Sequence, residues 1–148
     1  MIGFVSVFWS VLWRSVIVIA LSTGITYGFS ALAHSLFVPS EFSIKVRLSL
    51  SFLPAAFIFA ILAMRVNGTR NLLFEQRSTM SIVRWRQAYA GLAACAFSIV
   101  IISCVAAVIL NTDRWFALRA LLPPPLFMLF WIGFAIWQAI DRQAARHS

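Results

Sequence analysis

Four long apolar stretches, separated by short arginine-bearing connectors, take up almost the whole chain. That pattern fixes the solvent before it fixes anything else. The stretches cover approximately residues 15–38, 45–64, 87–110 and 123–140. The shortest, the last, still reaches about 27 Å as a helix, enough to cross a hydrocarbon core. No segment outside them is large enough to be a soluble domain. The expected fold is all-α: an integral membrane four-helix bundle, formed as a single domain over residues 1–148, with a longer polar loop at 65–86.

Composition agrees with that reading. Hydrophobic residues make up 62% of the chain and charged residues 11%, against roughly 25% charged in ordinary soluble domains. The net charge is +8, from 12 Lys+Arg and 4 Asp+Glu. In a soluble domain such a basic balance points to nucleic acid. Here the basic residues flank apolar spans, where they set topology and meet anionic headgroups, and no compact basic domain exists to hold DNA or RNA. Arg14, Arg65, Arg70, Arg77, Arg84, Arg86, Arg142 and Arg146 fall on one side of the four spans, and Lys45, Arg47, Arg114 and Arg119 on the other. The positive-inside rule therefore places both termini and the 65–86 loop in the cytoplasm, with the bacterial inner membrane as the expected location.

Several local features refine the picture. Residues 1–13 either lie on the membrane surface or extend the first helix, with Arg14 snorkelling to headgroups beside Trp9 and Trp13. A signal-peptide reading, with Ala31-Leu32-Ala33 as the cleavage site, is disfavoured by the length of the apolar run. Pro54 inside the second span predicts a kink or a freed carbonyl. Arg70, Arg77 and Arg84 recur every seven residues, as in a helix lying on the membrane surface. Asn67-Gly68-Thr69 matches a glycosylation sequon, but on the side assigned to the cytoplasm. Trp115 is placed at interface depth, and Pro123-Pro124-Pro125 opens the fourth span. Cys95 and Cys104, nine residues apart on one helix, stand roughly 13.5 Å apart, beyond disulfide reach, and read as small packing residues.

The most pronounced signal for function is helix association. Ala20, Gly24 and Gly28 recur every four residues, with Gly24-Ile25-Thr26-Tyr27-Gly28 as a GxxxG. Ala90, Ala94 and Ser98 repeat the device in the third span, with Gly91 beside them. Such faces let backbones approach closely, either within one bundle or between subunits. No acidic residue lies deep in a span, which argues against an ion-coupled pump or an acidic selectivity ring. His34 and His147 sit toward opposite ends of the bundle, so the chain alone offers neither a bis-histidine haem site nor a Ser-His-Asp triad. No metal site and no cofactor is expected. Gln138 and Tyr27 read as interhelical hydrogen-bonding groups. The best ligand-site candidate, for an anion or a lipid headgroup, is the loop set Arg65, Arg70, Asn71, Glu75, Arg77, Arg84 and Arg86.

Three fragments resemble the bacterial branch of the MAPEG superfamily (membrane-associated proteins in eicosanoid and glutathione metabolism). A helix beginning Arg47-Leu48 passes through Leu53-Pro54 and ends at Arg65. The following loop carries Arg70-Asn71 and Glu75-Gln76. Later, Leu121-Leu122-Pro123 leads to Phe130-Trp131-Ile132-Gly133-Phe134. The resemblance implies a small four-helix membrane protein, often trimeric, that binds glutathione through cytoplasm-facing Arg and Asn/Glu residues. No catalysis is carried over with it.

The leading functional expectation is therefore a non-enzymatic accessory or scaffold subunit. It would pack against other transmembrane helices in a larger complex or a homo-oligomer, with the lipid bilayer, anionic lipid included, as its other partner. A MAPEG-like glutathione- or lipid-binding protein is the second reading. A small transporter, holin-like pore or immunity protein is the third.

Overall fold

The computed structural model describes the backbone of residues 2–36, 40–64 and 81–147, and the side chains of residues 4–32, 40–64 and 81–140. The described chain is helical: α1 (Ile2–Leu36), α2 (Glu41–Ser49), α3 (Leu53–Met64), α4 (Ile82–Ile109), α5 (Thr112–Leu121) and α6 (Pro123–His147). A 3₁₀ turn over Leu50–Phe52 joins α2 to α3, and Leu122 alone separates α5 from α6. The six helices thus form four rods, each with a segment long and apolar enough to cross a membrane: Phe4–Leu32, Glu41–Met64, Ile82–Ile109 and Thr112–Ile140.

Residues 2–14 continue the first helix. Between Phe4 and Val18 the chain holds neither Gly nor Pro, and Val7, Val11, Arg14, Ser15, Val18 and Ser22 form one buried stripe at spacings of three and four. Three other rods start on side-chain caps. The hydroxyls of Ser40 and Ser81 and the side-chain oxygen of Asn111 accept from the backbone N–H groups of Ser43, Arg84 and Arg114, satisfying donors that a helix start leaves open. Ser81 places the start of α4 at Ile82, so Arg84 and Arg86 belong to the third rod rather than to a loop. Asn111 likewise starts the fourth rod at Thr112, eleven residues before the proline run.

The rods alternate in direction. Phe57 meets Phe97 and Phe59 meets Tyr89, so α3 runs antiparallel to α4. Ala55, Ala56 and Phe59 of α3 and Ala88, Leu92, Ala96 and Ile99 of α4 are all buried, and alanines on both sides let the pair come close. Phe127, Phe134 and Ala135 of α6 close the same core. A second, smaller core surrounds Trp115, which is fully buried against Ala106, Ala107, Leu48 and Leu118. Trp115 is therefore a packing residue of the bundle and not an interfacial anchor.

Candidate functional site

Pro54 sits where the second rod changes from 3₁₀ turn to α3. Its missing N–H leaves the Leu50 carbonyl without its helical donor, and the Leu53 N–H takes that carbonyl in a tighter turn. One residue on, the Ser22 hydroxyl of α1 enters the backbone ladder. It accepts from the Ala55 N–H at 3.0 Å and donates to the Ser51 carbonyl at 3.1 Å. Thr26 Oγ1 lies 3.1 Å from the same carbonyl and 2.9 Å from its own Ser22 carbonyl. The carbonyl freed by the proline is thus taken within its own rod, and the adjoining Ala55 N–H and Ser51 carbonyl are bonded across the helix interface.

Around this junction runs a polar seam. Ser49 Oγ and Trp115 Nε1 both donate to the Ser103 carbonyl, at 3.0 and 3.1 Å. Arg119 Nη2 donates to Ser51 Oγ at 2.8 Å, while its buried Nη1 has no hydrogen-bond partner among the described residues. Lys45, itself buried, lies 3.1 Å from Glu41 and 3.4 Å from the Leu110 carbonyl, and Thr112 donates to the same Glu41 carboxylate. The seam ties α1, α2, α4 and α5 together at the end of the bundle that carries the α4–α5 connector.

The other end holds a buried cation. Arg14 is 3% exposed, and its guanidinium sits 4.5 Å from the ring centres of both Trp13 and Trp85 while donating to the Ser10 carbonyl at 2.8 Å and to the Ser10 hydroxyl. This replaces the expected snorkelling to headgroups: the positive charge is held by aromatic faces inside the protein. Among the described residues, Trp85 Nε1, Trp131 Nε1 and the Gln138 Oε1 are buried without a hydrogen-bond partner. The sequence read Gln138 as an interhelical hydrogen-bonding group; it is 1% exposed, but its Oε1 accepts no hydrogen bond among the described residues. Tyr27, read the same way, faces outward.

Arg65, Arg70, Asn71, Glu75 and Arg77 lie outside the described residues, as does the sequon at 67–69. The His34 side chain lies outside them too. Of the basic set, Arg84 is half-buried in the first turn of α4 and Arg86 is exposed. The two are therefore placed on a rod.

The small-residue faces divide. Ala20, Gly24 and Gly28 all point away from the bundle, and nothing lies within 4 Å of where a Cβ would sit on Gly24 or Gly28. Ala90, Ala94 and Ser98 are exposed as well, on the side of α4 opposite its buried stripe. Gly91 alone of the set packs inside, where a Cβ would overlap the Phe130 ring of α6.

No protein family, no curated protein and no solved structure matches this chain.

Proposed function

We propose that the chain is an integral protein of the bacterial inner membrane, with both termini in the cytoplasm, and that it acts as an accessory or scaffold subunit by packing against further transmembrane helices. The observation that carries the reading is the outward direction of Ala20, Gly24 and Gly28. In lipid, association is driven by close backbone approach and dispersion contacts. A GxxxG that its own bundle leaves uncovered offers that approach to a helix from elsewhere, whether another subunit or a second copy. The outward Ala90, Ala94 and Ser98 on α4 provide a second such face.

The arginine distribution supports the orientation. Purification from native membranes in mild detergent, followed by mass spectrometry of whatever travels with the chain, tests the proposal. A companion subunit or a homo-oligomer is expected, and Gly24→Leu with Gly28→Leu is expected to release it while leaving the helical content and melting temperature intact. A stable monomer that travels with no companion would sink the reading.

A further inference from the structure

A groove of ≈ 540 Å³ runs along the outer side of the contact between α1 and the α2–α3 rod. Small-molecule sites typically span about 300–1,000 Å³. Its walls are apolar, with Ile25 and Phe29 on one side and Leu53 and Phe57 on the other, and its polar lining includes Ser30 and Arg47. Ile25, Phe29 and Phe57 are exposed, so the groove opens away from the bundle.

The polarity of the groove follows from the direction of its walls. Ser22 bonds to Ala55 and Thr26 to Ser51, so α1 and the second rod run antiparallel there. Ser30, one turn past Thr26, and Arg47, one turn before Ser51, therefore share the end nearest the α1–α2 connector. Leu53 and Phe57 lead from there toward the middle of the bundle. Lys45, two residues from Arg47, is paired with Glu41. Among the described residues Arg47 makes no ion pair or hydrogen bond, and neither does the Ser30 hydroxyl.

We infer that this groove seats one acyl chain of an anionic phospholipid, with the lipid phosphate on Arg47. A guanidinium fork matches phosphate oxygens in a bidentate geometry, and an unpaired cation between membrane helices favours a headgroup with net negative charge. The apolar walls continue in the direction a chain takes from that headgroup. Gly24 and Gly28 do not line the groove, so the site is independent of the helix-packing face.

Native mass spectrometry of the full chain in detergent tests this, with phosphatidylglycerol and phosphatidylcholine of matched chains supplied in equal amounts. The wild type is expected to retain one phosphatidylglycerol with a roughly fivefold preference, because both lipids carry the phosphate but the choline ammonium cancels its charge, leaving only phosphatidylglycerol net negative beside Arg47. Arg47→Gln is expected to bring the two lipids to parity, and Arg114→Gln, which removes an exposed cation in the first turn of α5, to leave the preference unchanged. Ser30→Phe, which fills the groove, is expected to abolish tight retention of both lipids, with circular dichroism confirming the fold. An unchanged preference in Arg47→Gln, an equal loss in Arg114→Gln, or full retention in Ser30→Phe would each overturn the site. So would a dimer that Ser30→Phe splits without changing lipid retention, since the groove would then hold a second copy.

Discussion

At the scale of single residues, chemically similar positions do opposite things. Gly91 is required by space: an added methyl group meets the Phe130 ring, which has to move within a packed interface. Gly91→Ala is expected to destabilise the bundle by about 1–3 kcal/mol, as overpacking does, read as a lowered midpoint of denaturation in detergent. Gly24→Ala and Gly28→Ala meet open space, and each removes a flexible residue from a helix interior. Both are expected to leave that midpoint unchanged or raise it slightly, by at most about 1 kcal/mol. Arg14 gives a third test. Its guanidinium lies 4.5 Å from the centres of two indole rings while donating to Ser10, a set of contacts that a lysine ammonium cannot reproduce with the same donors. Arg14→Lys is expected to cost about 1–2 kcal/mol of stability despite keeping the charge, and a midpoint equal to that of the wild type would show that charge alone suffices.

At the scale of elements, the junction of α2 and α3 is held by a neighbour as well as by its own ladder. Ser22 stands between the Ala55 N–H and the Ser51 carbonyl, and Thr26 adds a second donor to that carbonyl. The two hydroxyls share one acceptor, so their effects are expected to be non-additive. A double-mutant cycle of Ser22→Ala and Thr26→Val is expected to give single losses near 0.5–1.5 kcal/mol, the range of interhelical hydrogen bonds in membrane proteins, and a combined loss that differs from their sum. Strict additivity would mean that the ladder closes without them. The sequence showed Pro54 as a disturbance but not the bonds of Ser22 beside it, because those come from another rod. The fourth rod was legible only in part. Asn111, Thr112, Asp113 and Arg114 made residues 111–115 look like a polar connector, and the proline run looked like a helix start. The readable signal was Asn111 followed by Asp113, an N-cap with an acidic first turn. Nor could sequence say which way the small-residue faces pointed. Outward and buried faces of these rods are both apolar, so the amphipathic contrast that orients a helix in water is missing. Ala88 and Ala96 are buried and Ala90 and Ala94 exposed on one helix, with no difference in residue type to tell them apart.

At the scale of the whole molecule, alternation of four rods decides what topology measurements can find. Among the described residues, an even number of alternating rods puts the start of α1 and the end of α6 at one end of the bundle, with the α4–α5 connector at the other. The arginine count then chooses between two orientations. In the sequence eight basic residues flank the spans on the side of Arg14, Arg84 and Arg86 and four on the other, and the proposed orientation follows from applying the positive-inside rule to that count. Cys95 and Cys104 are free thiols, so a background lacking both is needed for labelling. In that background Asp113→Cys and Arg86→Cys each place one thiol on an exposed connector or rod-end position. A membrane-impermeant maleimide applied to intact spheroplasts is expected to modify Asp113→Cys at once and Arg86→Cys only after lysis. The reverse pattern would turn the bundle over and place the larger arginine set outside. It would also move the lipid groove, with Arg47, to the cytoplasmic leaflet while leaving its lining unchanged. Modification of both before lysis would be incompatible with rods that cross the membrane at all, and the outward glycines of α1 would then have to be explained in water, where a GxxxG face has no lipid to exclude.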